Sequence, residues 1–229
     1  MIPTLFGIIV CLFCILAAQF IQVHLMRRDF EKDSVLKSRQ IQRLDSGIDF
    51  QNKRSQFLMV ARDSIIKKHN PGLTDDEAYN IAELTLYICE KYKIDPILVF
   101  AIGRQESKFT SNAISTEGAK GFFQINPVTG RMLCETLGIE YSDQRLFDLK
   151  TNMELAGKYI NFLKAEYGDK IDLILIGYNA GPRWADSYRC RKTDLPEETK
   201  NYLVRVRAFY IEFDKHLAFY LPGSLIKES

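Results

Sequence analysis

"AIGRQESKFTSNAISTEGAKGFFQINPVTG", residues 101–130, sets a carboxylate, Glu106, where an apolar run meets a loop of small and polar residues. Upstream, Asp95 reads as a helix N-cap and Pro96 as a first helical residue, so the run is predicted to be a helix. Val99, Ile102 and Glu106 stand at i, i+3 and i+7 and share one face of it. Arg104 and Lys108 fall on the solvated side. Glu106 therefore continues an apolar stripe, where loss of water favours the protonated carboxyl and raises its pKa. That is the state a general acid needs near neutral pH. A helix-terminal glutamate bent outward into water fits the same spacing, and the stripe alone favours this plainer reading.

Beyond Thr74 the apolar spacing is mostly helical. Thr74 and Glu77 form a capping box that opens a helix over about 75–91. Further helices are predicted at about 153–167, 172–178 and 199–216. Only residues 118–124, with their glycines, suggest a short hairpin or extended loop. There is no long alternating strand pattern and no internal repeat, so the domain is mainly α.

At the other end, residues 3–23 are apolar except for Gln19 and Gln22. As a helix they would span about 30 Å, the thickness of a hydrocarbon core. A cleaved signal peptide is the rival, but residues 1–4 carry no Lys or Arg, and Leu16 is bulky for a cleavage site after Ala18. The expectation is a transmembrane anchor over 1–26. Arg27, Arg28, Lys32 and Lys37 follow it and favour a cytoplasmic C-terminal side, yet long domains are translocated largely regardless of such charges. Residues 27–73 are strongly charged and nearly free of Gly and Pro, which predicts a helical stalk. Pro71 and Gly72 end it. The expected organisation is thus an anchor, a stalk, a helical domain over 74–216 and a tail over 217–229.

The chain has 229 residues, enough for one sizeable domain plus appendages. Its net charge of +2, with Asp and Glu mixed among Lys and Arg, gives no basic face and no reason to expect nucleic acid. The five cysteines form no CxxC pair or Cys/His cluster, so no metal site is predicted. Cys134 and Cys190 could pair in an oxidising compartment, although unpaired thiols are the simpler expectation.

Four segments now fall into order: Glu106-Ser107, "STEGAKGFFQINP" at 115–127, "GYNAGP" at 177–182 and "LPEETKNYLVRV" at 195–206. Together they resemble the catalytic domain of the soluble lytic transglycosylase family, over about residues 77–215. The resemblance implies a lysozyme-like, α-rich fold that cleaves peptidoglycan glycan strands and needs no cofactor. It assigns Glu106 as the catalytic acid, which protonates the glycosidic oxygen between N-acetylmuramic acid and N-acetylglucosamine. As a carboxylate, Glu106 would then accept the proton of the muramoyl C6 hydroxyl, leaving a 1,6-anhydromuramoyl end. One group acting twice removes the need for the two carboxylates of ordinary glycosidases.

The same resemblance places Ser115, Gln124, Tyr178, Asn179, Glu198 and Tyr202 along the substrate groove. Gln124 would offer its amide to the saccharide, and Gly118 and Gly121 would let the loop approach it closely, although tight turns favour such residues anyway. Tyr178 would orient the acid and hold an N-acetyl group. Tyr202 suits the groove or helix packing equally, and Trp184 suits a groove lip or the core. Glu117 and Glu198 are the further carboxylates of the matched segments. His24, His69 and His216 are isolated and receive no role. The family commonly has Leu-Met where this chain has Phe122-Phe123, and Ala where it has Gly177, differences expected to alter subsite walls. A lysozyme-like hydrolase would need a further carboxylate to position water. A non-catalytic wall-binding assembly protein would not need a buried acid. The implied setting is the membrane, with the domain on the periplasmic or wall side, in wall turnover, a secretion or conjugation machine, or a phage particle.

Overall fold

A computed structural model describes the backbone of residues 2–221, with side chains at residues 22, 24, 28 and 32 and from Ser34 onward. The chain divides into two compact units, Met1–Gln51 and Asn52–Ser229. The first is the greater part of a helix, α1 (Ile2–Val60). Of its described apolar side chains, Val35, Leu36, Ile41, Leu44 and Ile48 are at least half exposed, and Phe50 is partly buried. Apart from Gln22, the side chains of the apolar run 3–23 lie outside the described residues, and with them the expected anchor. Among the described residues no helix is long and apolar enough to cross a membrane.

The second unit begins well ahead of the boundary expected near Thr74. The end of α1, a π-helical turn (Ala61–Ile66) and a short α2 (Lys67–His69) carry Phe57, Leu58, Ala61, Ile65 and Ile66 into its core. Burying a large apolar side chain stabilises by about 1.5–3 kcal/mol, enough to make this segment part of the domain. Pro71 and Gly72 mark a turn inside it.

Local rules place the remaining helices. Thr74 and Glu77 complete the capping box of α3 (Asp75–Tyr92), with Glu77 accepting from the Thr74 N–H at 2.8 Å. Asp95 accepts from the Ile97 N–H at 2.9 Å to open α4 (Pro96–Ser107). Asn126 and Pro127 open α5 (Pro127–Leu137) in the same way, and Gly138, at φ 66°, closes it. After a 3-10 turn (Gln144–Phe147) come α6 (Leu149–Tyr167), α7 (Ile171–Asn179), α8 (Pro182–Arg189) and α9 (Glu197–Leu217). The expected helices are present, four of them longer at one end or both; α5 and α8 are additions.

Residues Pro96–Gly103 of α4 are all buried, as suits a helix apolar on every side. It packs chiefly on α9 and also on α3. A second seam joins α3 to α6, where buried Glu154 accepts from Lys91 Nζ at 2.7 Å and from the Tyr92 hydroxyl at 2.8 Å. His69, isolated in sequence, is not isolated in space: Arg104 Nε donates to its Nδ1 at 2.9 Å, and Phe209 and Phe213 pack edge-on against its ring. Cys134 and Cys190 are both free thiols, the first buried and the second exposed.

Candidate active site

The active end of α4 is abrupt. Lys108 and Phe109 both take left-handed conformations, at φ 53° and 63°, and turn the chain away just after Glu106 and Ser107. Phe109 is fully buried and anchors that turn. Glu106 is left at the helix terminus, facing α9, where the hydroxyl of buried Tyr202 donates to its Oε1 at 2.8 Å. Burial raises the Glu106 pKa from the usual 4.5 to about 7, and the Tyr202 hydrogen bond pulls the other way. No charged group contributes to the shift. The stripe's functional reading, a carboxyl kept protonated by loss of water, thus fits the geometry.

From Glu106 a cleft of about 660 Å³ runs between the loop 115–126, the C-terminus of α7 and the start of α9. Ser115, Gln124, Tyr178, Asn179, Glu198 and Tyr202 all line it, as do Glu117 and Arg205. All seven residues singled out from the sequence therefore meet in one place, with Trp184 outside the lining.

The loop is built from backbone bonds and two isolated bridges, Ile114 with Lys120 and Lys120 with Ile125; no strand forms among the described residues. Ser115 Oγ accepts from the Ala119 N–H at 3.0 Å, closing its turn. Gln124, left-handed at φ 49°, spends both amide hydrogens inside the loop, donating to Ala113 O at 3.1 Å and Gly121 O at 2.8 Å. Its Oε1 remains for a ligand, so it can accept from a saccharide but not donate.

Several expected roles change. Gly121 does not serve close approach to a sugar. At φ 81°, a Cβ there would lie 2.1 Å from Leu146 O and 2.4 Å from Asn152 Nδ2, so it is glycine because the interior leaves no room. Gly118, at φ 79° with open space beside it, serves the turn. Phe122 and Phe123 are 1% and 0% exposed and belong to the core, not a subsite wall. Gly177 is buried too, and a Cβ on it would meet Leu163 at 2.7 Å. The two tyrosines also divide their work differently: Tyr202 holds the acid, while the Tyr178 hydroxyl donates to Phe123 O at 2.9 Å and ties α7 to the loop.

Two important residues escaped the sequence reading. Asn152 of α6 is fully buried, accepts from the Phe123 N–H at 2.7 Å and donates to Lys120 O at 3.0 Å and Leu146 O at 2.8 Å. It clamps the loop that carries Gln124. A polar residue sharing a helical face with Ala156, Tyr159 and Leu163 was a signal of the kind that drew attention to Glu106. Tyr159 lines the cleft beside Tyr178, and its hydroxyl donates to Gly177 O at 3.0 Å. In sequence it is indistinguishable from a core tyrosine.

The chain is similar to several known proteins. The family model for the "Transglycosylase SLT domain" matches residues 83–200. The soluble lytic murein transglycosylase of Escherichia coli K12 is 33% identical over 84 residues, 36% of this chain and 13% of the relative. Membrane-bound lytic murein transglycosylase C of Shigella sonnei is 28% identical over 121 residues, 48% of this chain and 34% of the relative. Among solved structures, the lytic transglycosylase Slt of Pseudomonas aeruginosa, crystallised as an inactive mutant, matches with a TM-score of 0.55 at 23% identity, over 64% of this chain and 25% of that one. This chain thus spans between 13% and 34% of the length of these relatives. With the matched segment running from α3 to the start of α9 and taking in the acid, the loop and the α7 terminus, the chain belongs to the transglycosylase SLT domain family, on a mainly helical, lytic transglycosylase-like fold.

Proposed function

We propose that the chain is a peptidoglycan lytic transglycosylase that cleaves the β-1,4 bond between N-acetylmuramic acid and N-acetylglucosamine and leaves 1,6-anhydromuramoyl ends. The observation that carries this reading is the state of Glu106: a carboxyl with a pKa of about 7 whose hydrogen-bond partner is a neutral hydroxyl. Such a group gives and takes a proton with similar ease at neutral pH. Glu106 protonates the glycosidic oxygen as its bond to C1 breaks, and the N-acetylglucosamine end leaves as an alcohol. The C6 hydroxyl of the muramoyl sugar then bonds to C1 and returns its proton to Glu106. The enzyme ends protonated and no water is consumed. Glu117 and Glu198 share the cleft but contribute nothing to the Glu106 shift, which supports one carboxylate acting twice over a pair of carboxylates.

Around this centre Tyr202 fixes the acid, Gln124 accepts from the sugar through Oε1, and Tyr178 with Asn179 faces the N-acetyl group from the α7 terminus. Ser115 and Glu198 border the groove at its two sides. Digestion of purified peptidoglycan by the chain, followed by mass spectrometry of the new ends, tests the reaction. Anhydromuramoyl ends are expected, and reducing muramic ends would establish a muramidase instead. The apolar run 3–23 is proposed as the membrane anchor, with the second unit on the wall side where the substrate is. A reporter fused at Ser229 should be active only on that side, and activity in the cytoplasm would overturn the placement.

A further inference from the structure

Among the described residues the cleft carries one cation, Arg205, and no carboxylate answers it. Glu198, Tyr202 and Arg205 stand at i, i+4 and i+7 on α9 and all line the cleft. The Arg205 guanidinium is not loose: its Nε donates to Oε1 of Gln105, the residue next to the acid, at 3.1 Å. Its partner is thus a neutral amide, whereas Arg54, Arg62, Arg189 and Arg207 each meet a carboxylate. Among the described residues no carboxylate forms an ion pair with Arg205, and its side chain lies on the exposed side of α9, with neighbouring Val206 in the core. Burial holds the Tyr202 pKa well above its ordinary value and the Arg205 charge opposes that rise only in small part, so the guanidinium stands near the hydroxyl that holds the acid without setting the acid's state. A guanidinium held at Nε keeps its two terminal nitrogens as a planar fork, the geometry that matches a carboxylate.

The strand that would lie here poses a problem of register. Its alternating sugars share the same ring, the same N-acetyl group and the same C6 hydroxyl, and differ in the lactyl ether on every second one. Whatever presents one of the two alternating bonds to Glu106 must therefore read the lactyl arm. We propose that Arg205 is a specificity-determining residue that binds a carboxylate carried on the lactyl arm of the muramoyl sugar and so sets which bond meets Glu106. This rests on the reaction assigned above. The carboxylate has two sources, the lactyl group itself in bare strands and the stem peptide in substituted ones.

Binding separates the sources and does not require cleavage. The full chain carrying Glu106→Gln, with and without Arg205→Gln, is titrated with bare strands, peptide-bearing strands, bare strands amidated by carbodiimide, and chitin oligomers, which lack the lactyl arm. Arg205→Gln should weaken carboxylate-bearing strands by about tenfold. On amidated strands and chitin oligomers the gap between the two proteins should close to within about twofold, which also reports an intact groove. A loss with bare strands alone identifies the lactyl carboxylate, and a loss with peptide-bearing strands alone identifies the stem peptide. Equal binding everywhere, or the same loss on amidated strands, overturns the proposal. Cleavage supplies the second readout: in the otherwise unaltered chain, Arg205→Gln should raise the share of new ends carrying anhydro-N-acetylglucosamine. Strands cut by hydrolysis would sink the reaction assigned to Glu106 while the titrations still decide the role of Arg205.

Discussion

Two helix seams each withdraw a carboxylate from water, and they do it in opposite ways. Between α3 and α6, Glu154 receives an ammonium and a hydroxyl, so its charge is answered and its oxygens are occupied. Between α4 and α9, Glu106 receives one hydroxyl and, among the described residues, no cation. The first arrangement makes a clamp, because an ion pair and a hydroxyl tie the carboxylate of α6 to α3. The second makes a reagent, because burial disfavours the charged form and holds the proton up to about neutral pH, where it can be both given and taken back. Burial is common to both. The sign of the neighbour decides what burial produces.

The largest effect is expected at the reagent. Glu106→Gln keeps size and most hydrogen bonding but removes the transferable proton, so glycan cleavage should fall at least about a hundredfold. Stability should move the other way. The folded state holds the Glu106 proton up to about pH 7, while the unfolded chain releases it near 4.5, so this group costs stability increasingly as pH rises through that window. The melting temperature of the variant should match wild type at pH 4 and exceed it at pH 8. A variant that melts normally and still cleaves at close to the wild-type rate would break the contrast between the seams.

Next comes Tyr202→Phe, which removes the donor that holds the Glu106 pKa down. The rate should drop about tenfold, as for a lost hydrogen bond to a charged group. The alkaline limb of the pH–rate profile should shift upward, because the carboxyl then stays protonated to higher pH. An unchanged or lowered limb would mean that Tyr202 does not hold the acid during turnover.

The smallest change belongs to the clamp. Glu154→Gln should lower stability by about 1 kcal/mol, modest because the Lys91 side chain is 42% exposed. Activity at saturating strand should stay within about twofold. Chemical denaturation and the digestion assay run side by side separate the two. A large loss of cleavage with unchanged melting would show that the seams are not independent.

How much of this the sequence disclosed depends on the range over which each cause acts. Caps were legible because they are local: Thr74 with Glu77, and Asp95 with Pro96, act within one turn of chain. By the same rule, Asn126-Pro127 announces α5 and the prolines after Asp95 and Gly181 play one part, yet these helices were passed over because each is short and lacks a long apolar face. The glycines of the loop were visible but their reason was not. Gly121 is dictated by Leu146 and Asn152, residues remote in sequence, and a positive φ reads the same whether the cause is a ligand or a wall. Tyr178 and Tyr202 could both be placed in the cleft from their segments, whereas only three dimensions say which one touches the acid. The domain boundary misled for a related reason: a Pro-Gly break ends a helix without ending a core, and Phe57 to Ile66 had already joined it.

The pairing of α4 with α9 also has a consequence in time. Glu106 and Tyr202 are 96 positions apart, and the contact between their helices is among those that close last in a chain made from its N-terminus. Until α9 docks, Glu106 stands in water as an ordinary acid, ionised at neutral pH and without a groove wall beside it. A chain still being synthesised therefore lacks the buried acid on which the proposed reaction rests. Completion of the fold and the rise in the acid's pKa are therefore a single event.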